Sequence, residues 1–216
     1  MKILALDSSG IVASVAVVED DTLLAEYTVN YKKTHSQTLL PMLDEIVKMT
    51  ELELESVDAI AVAAGPGSFT GLRIGSATAK GLGLALKKPL VAVPTVDALA
   101  YNLYDAQGLI CPIMDARRKQ VYTGIYRYED HRLMTVKDQM AVGIEELLSM
   151  LNEMGEAVTF LGDGVPVFKD IIADKLTVPF SFAPDHLSRQ RAGVVGALGV
   201  LYYKEGRIET AAEHKP

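Results

Sequence analysis

Ile3-Leu4-Ala5-Leu6-Asp7-Ser8-Ser9-Gly10 opens the chain with an apolar run that ends in an acid and small polar residues. Ile110-Cys111-Pro112-Ile113-Met114-Asp115 repeats the device near the middle of 216 residues. Each reads as a short buried strand with an acid at its carboxyl end. Outward from the first, Val12 to Val18 and Thr22 to Val29 follow at close spacing. Glu19-Asp20-Asp21 between them predicts a hairpin turn, so the three runs form a meander. A helical pattern covers His35 to Met49, with Leu39, Leu40, Leu43, Ile46 and Val47 on one face. Pro41 is harmless only in a first turn, which predicts a late start or a kink. A strand at 58–63, a break at Gly65-Pro66-Gly67, a helix at 72–87 and a strand at 90–93 complete the order βββαβαβ. Strands separated by helices imply parallel pairing, with both sheet faces covered.

The second half starts over. Gln120 to Tyr128 reads as a strand, and Glu129-Asp130 closes it as Glu19-Asp20 closes the earlier one. A two-residue insertion brings these pairs and the two acids, Asp7 and Asp115, into register. A helix near 144–154 and a strand at 157–161 follow, ending in Gly162-Asp163-Gly164 as the earlier strand ends in Gly65-Pro66-Gly67. The halves are read as 1–105 and 106–216, with a last helix, 188–204, free to pack on either. A duplicated βββαβα unit is the α/β plan of the actin-like, Hsp70-like (ASKHA) fold. There, tight turns after each first strand offer backbone N–H groups and hydroxyls to the phosphates of ATP. Asp7-Ser8-Ser9-Gly10 suits that task. Asp115-Ala116-Arg117-Arg118 has no Gly or Ser, so the second half is expected to be a reduced copy.

Composition narrows the function. The net charge is −7, which argues against non-specific nucleic-acid binding by this chain alone. Aromatics make up 6% and Trp is absent, so the core must be aliphatic. No uncharged apolar run reaches the roughly 18 residues of a membrane span. Asp7 comes too early for a signal peptide. A soluble, cytoplasmic chain without membrane contact is expected. The single Cys111 excludes an intrachain disulfide, and in an apolar strand it reads as a small buried hydrophobe.

The glycine segment is the least ordinary stretch. Positions 71, 75, 79 and 83 are Gly, Gly, Ala and Gly, a side-chain-poor row at i+4 spacing. Glycine inside a helix costs about 0.5–1 kcal/mol relative to Ala, so close approach of another backbone is the natural compensation. That backbone is either the chain's own sheet or a partner's helix. No Lys-Ser or Lys-Thr follows at P-loop spacing.

Gly65-Pro66-Gly67-Ser68-Phe69-Thr70-Gly71-Leu72-Arg73-Ile74-Gly75, the opening Ile3 to Ser9, His35-Ser36 with Leu39-Leu40-Pro41, and Asp115-Ala116-Arg117 with Val121-Tyr122 resemble the bacterial TsaB (YeaZ) family. The resemblance spans nearly the whole chain. It implies an actin-like fold and a part in making threonylcarbamoyladenosine in tRNAs that read codons starting with A. It further implies a non-catalytic subunit, not an enzyme on its own. The implied partners are a metal-bearing paralogue, TsaD, that transfers the threonylcarbamoyl group, and a P-loop ATPase, TsaE. Contact with tRNA would run through the complex, and the chain alone would form a homodimer. Where the paralogue carries two metal-binding His four residues apart, this chain has Thr95 and Leu99. The histidines at 35, 131, 186 and 214 form no ligand spacing, so no metal and no catalytic residue are expected here. An aromatic–Leu–Arg stretch is expected beyond Pro216, where the chain departs from the family.

On that resemblance, His35, Leu39 and Met42 on the first helix and Leu72, Gly75, Ala79 and Gly83 on the second are expected at the partner interface. Gly75→Leu or Ala79→Leu should then abolish partner binding and spare the fold. Asp7, Ser8, Ser9, Gly65 and Gly67 are read as a vestigial nucleotide site, with ATP or ADP entering only in the assembled complex. Asp7 is either its metal- or water-positioning acid or a cap for its own turn. Ser36 either touches a partner with His35 or caps the following helix. Arg117-Arg118-Lys119 is either a solvated turn or a contact to tRNA or nucleotide. Arg189 and Arg191, cations at a helix start, point to an acid elsewhere. Two rivals remain at this point. One is an autonomous ATP-dependent small-molecule kinase of the same fold. The other is a metalloprotease-like (glycoprotease-family) enzyme.

Overall fold

The computed structural model describes residues 1–31 and 35–215. In chain order come β1 (Lys2–Asp7), β2 (Val12–Glu19), β3 (Thr22–Asn30), α1 (His35–Thr50), β4 (Ala59–Ala63), α2 (Phe69–Leu86), β5 (Leu90–Val93) and α3 (Thr95–Tyr101). Then follow β6 (Leu109–Asp115), β7 (Gln120–Glu129), β8 (Arg132–Gly143), α4 (Ile144–Met154), β9 (Val158–Leu161), α5 (Val165–Lys175), β10 (Phe180–Phe182) and α6 (Ala192–Lys204). Met1–Ala98 and the chain from Gln190 onward form one compact unit, and Leu99–Arg189 the other. Against halves at 1–105 and 106–216, this division places the last helix in the first unit. That helix starts at Ala192, later than the 188 read from the sequence.

The first unit is a sheet of order β3-β2-β1-β4-β5, with β1 antiparallel to β2 and parallel to β4. Strand side chains alternate between faces. Leu4, Leu6, Ile60 and Val62 join Leu39, Met42, Leu43 and Ile46 of α1 and Ala79 of α2 in one core. Ile3, Ala5 and Ala61 point the other way and meet α6. Gly196 and Gly199 let α6 lie close to the sheet: a Cβ there would sit 2.6 Å from Val18 Cγ2 and 2.7 Å from Ala61 Cβ.

The start of α6 explains one of its two cations, Arg191. Arg191 donates to Glu26 Oε2 at 2.6 Å and 3.1 Å through Nη2 and Nε, and Gly193 N–H donates to Glu26 Oε1 at 2.9 Å. Ala192 N–H donates to Ser14 Oγ at 2.9 Å. Glu26 and Ser14 thus cap α6 from the sheet, and the carboxylate offsets Arg191 at the positive end of the dipole. Glu26→Ala is expected to lower stability by about 2 kcal/mol, by removing a cap and orphaning a half-buried guanidinium. Urea unfolding measures it, and a change under about 0.5 kcal/mol would refute the capping role.

The second unit repeats the first. Its sheet order is β10-β9-β6-β7-β8, so β6 lies between an antiparallel and a parallel neighbour as β1 does. The two-residue excess sits in β7, ten residues long against eight in β2, whose register with β8 shifts on either side of Ile125. Every strand of the first sheet has its counterpart, including β10, which with α5 sequence periodicity did not mark, but the second copy is the reduced one. What shrinks is helix length: α4 and α5 have 11 residues each, against 16 and 18 for α1 and α2.

α1 differs in two respects from what its sequence suggests. The helix runs through Pro41 from His35 without a late start. Pro41 and Gln37, whose carbonyl loses its N–H partner, both lie on the exposed side, where water serves instead. Ser36 is inside the helix and so is not its N-cap. Residues 32–34 lie outside the described ones. Among the described residues, no helix is long and apolar enough to cross a membrane.

Candidate functional site

The carboxyl ends of β1, β4 and β5 bring Asp7, Gly65 and Thr95 to one edge of the first sheet, the usual ligand edge of an α/β unit. Asp7 is fully buried. Its Oδ1 accepts the Ser9 N–H at 2.9 Å and the Ser9 hydroxyl at 2.7 Å, while Oδ2 has no partner. Burial pushes the Asp7 carboxyl up to about 6, and the two Ser9 bonds and nearby His35 hold it back. Ser8 Oγ donates to Gly71 O at 2.9 Å, and Ser68 N–H donates to Ser9 O at 2.7 Å. His35 Nε2 lies 2.8 Å from Gly10 O. Asp7 is therefore the cap of its own turn, and the turn is docked onto the start of α2.

The docking is tight because the facing residues are glycine. A Cβ at Gly67 would stand 2.3 Å from Ser9 O, one at Gly71 2.0 Å from Ser8 O, and one at Gly75 2.5 Å from Ser8 Oγ. Gly65 combines φ +102° with the Leu72 side chain packed over it, and its carbonyl accepts Thr95 N–H at 2.8 Å. The Ser8 and Ser9 hydroxyls and the Ser9 and Ser68 N–H groups are all committed within the chain.

The row Gly71, Gly75, Ala79, Gly83 faces inward, against Ser8, Val62, Leu90 and Ala211. The expected use of Gly75, Ala79 and Gly83 as partner contacts is corrected on this ground, and so is a fold-sparing Gly75→Leu or Ala79→Leu. Leu39 and Met42 are likewise core residues of α1. The outward face of α2 carries Phe69, Arg73, Ala77, Gly81 and Leu84, which sequence reading passed over. Phe69 is 68% and Leu84 69% exposed, and the Arg73 guanidinium lies 3.8 Å from the Phe69 ring centroid. Leu40 of α1 is exposed as well. A Cβ at Gly81 would meet nothing within 4 Å.

The β6–β7 turn of the second unit is built differently. Asp115 Oδ1 accepts Arg117 N–H at 2.9 Å, and Oδ2 lies 3.2 Å from Arg117 Nη1. Asp163 Oδ1 accepts Asp115 N–H at 3.3 Å, and burial raises the Asp163 carboxyl above its ordinary range. Arg117, Arg118 and Lys119 all have positive φ, at 68°, 52° and 59°. Thr95 and Leu99 on α3 are fully buried, and no group of three His, Cys, Asp or Glu poised for a metal occurs among the described residues. Cys111 is buried, and burial pushes its thiol up to about 12, so it is inert at neutral pH.

A family profile described as "TsaD: tRNA N6-adenosine threonylcarbamoyltransferase" matches residues 22–213. The tRNA threonylcarbamoyladenosine biosynthesis protein TsaB of Bacillus subtilis is 40% identical over 176 residues, 82% of this chain and 77% of that protein. The chain belongs to the TsaB family. The solved structure of YeaZ from Pseudomonas aeruginosa superposes on this TsaB-family chain with a TM-score of 0.83 at 25% identity, over 98% of this chain and 96% of that one. An inorganic polyphosphate/ATP-glucomannokinase from Arthrobacter matches with a TM-score of 0.55 at 14% identity, over 94% of this chain and 99% of that one. That likeness speaks for the fold alone, which is the actin-like one read from the duplicated strands.

Proposed function

We propose that this chain is the non-catalytic subunit of a tRNA threonylcarbamoyladenosine-synthesising complex. It binds a TsaD-type catalytic subunit through the outward face of α1 and α2. The observation that carries this is the surface of α2. Phe69, Ala77, Gly81 and Leu84 combine large exposed apolar side chains with small residues that admit a second helix, while the inner glycine row is used up by the chain's own sheet. Alone, the same patch would serve both copies of a symmetric homodimer. A TsaE-type ATPase and tRNA join the assembled complex, in the cytoplasm. ATP or ADP enters there rather than at the Asp7-Ser8-Ser9 turn, whose Ser8 hydroxyl holds α2 and whose Ser9 donors hold Asp7. Asp7, Ser8, Ser9, Gly65 and Gly67 are then the remnant of a nucleotide loop turned to structural use.

Co-expression with the TsaD-type subunit tests the proposal. Ala77→Arg combined with Leu84→Glu changes two exposed side chains. It should leave the melting temperature within a few degrees and cut co-purification at least tenfold, because a charged group would have to be buried at the contact. Full recovery of the complex would sink the interface assignment. Micromolar Mg-ATP binding by the isolated chain, with phosphoryl transfer, would instead favour the kinase.

A further inference from the structure

We propose that the β6–β7 turn is an RNA-phosphate contact, so that this chain touches tRNA directly through Arg118 and Lys119. The proposal rests on the reading that the chain works in a tRNA-modifying complex. Three observations carry it. First, the hairpin demands left-handed backbone at Arg117, Arg118 and Lys119. Glycine or asparagine meets that demand at least cost, and three long cations in a row break the rule. A local rule broken without a local gain points to function.

Second, the cations are free to act. Arg117 is tied to Asp115, but Arg118 and Lys119 are exposed and make no ion pair within 4.0 Å among the described residues. Glu145, the acid whose charge senses Lys119, is taken by Lys175 at 2.8 Å. The backbone N–H groups of Arg118 and Lys119 also donate to no acceptor among the described residues.

Third, the turn is held rigid. Ala116 N–H donates to Gln120 O at 3.0 Å, Gln120 N–H to Arg117 O at 2.9 Å, and Ile144 N–H to Lys119 O at 3.0 Å. A fixed turn with two free guanidinium or ammonium groups and two free N–H donors fits adjacent phosphates of a polyanion. On a chain of net charge −7, such a patch localises the contact instead of attracting nucleic acid everywhere.

The test uses the full chain in complex with the TsaD-type subunit, and as probe a transcribed tRNA that reads a codon starting with A. Binding is followed by fluorescence anisotropy over a series of KCl concentrations. Arg118→Gly with Lys119→Gly should weaken tRNA binding several-fold at low salt. It should also make the plot of log affinity against log salt shallower by about 0.7–0.9 per cation removed. The same variant should melt no lower than the wild type, since glycine relaxes the turn. Arg118→Lys with Lys119→Arg should bind tRNA as the wild type does. Unchanged affinity and slope in the glycine variant would overturn the proposal, as would a fall in its melting temperature. Loss of Mg-ATP binding with intact tRNA binding would overturn it in favour of a nucleotide phosphate. A wild-type chain that forms no complex with the catalytic subunit is a different failure, that of the functional reading beneath.

Discussion

Gly71→Ala is expected to cost about 3 kcal/mol or more, although it adds one methyl group to a helix. On an exposed helix the same change stabilises by about 0.4–1 kcal/mol. The sign reverses because the new Cβ would stand 2.0 Å from Ser8 O, a backbone atom that cannot swing aside. Relief requires α2 to part from the β1–β2 turn. That strains the Ser8 hydroxyl bond to Gly71 O and the Ser68 N–H bond to Ser9 O together. Gly81→Ala on the outer face is the matched control, because nothing lies within 4 Å of its Cβ. Urea unfolding should move the two variants in opposite directions. A Gly71→Ala midpoint at or above the wild-type value would show that α2 is not seated on the turn as described.

That pair also shows where sequence reading reaches its limit. The strand-ending acids Asp7 and Asp115 and the matching Glu-Asp turns revealed the duplication, because strand order and turn chemistry are local signals. The phase of α2 was not legible. Positions 71, 75, 79 and 83 form one row of small residues, and Ala77, Gly81 and Ala85 form another two residues out of step. Both rows repeat at i+4, and spacing alone cannot say which faces the sheet. The tertiary contact of Gly71 and Gly75 with Ser8 decides it. The cap of α6 was hidden for a related reason: Arg191 called for an acid, but the acid, Glu26, lies 165 residues away. α5 was missed although six of its 11 residues are apolar, because they fall on more than one face and only Phe168 and Ile172 are buried.

Asp7→Asn is expected to stabilise the protein near neutral pH by about 2 kcal/mol and to flatten its pH dependence. Burial raises the folded Asp7 carboxyl to about 6, above its ordinary value of 3.8. The folded state therefore holds the Asp7 proton more tightly than the unfolded chain does. The stabilisation this brings is complete below about pH 4 and is lost as pH rises through 6. A shift of about two pH units corresponds to roughly 3 kcal/mol, and full burial means that solvent does not screen it away. Asparagine keeps the Oδ1 acceptor for both Ser9 donors and removes the charge that burial penalises. The wild type should thus gain stability from this group between pH 7 and pH 4.5, whereas the variant should not. The two curves should converge near pH 4. Denaturant unfolding across that range measures the difference, and parallel curves would show that Asp7 does not carry a raised pKa. The tRNA-modifying activity of the complex assembled with Asp7→Asn then shows whether the charge itself is used. Full activity would leave Asp7 as a turn cap and nothing more.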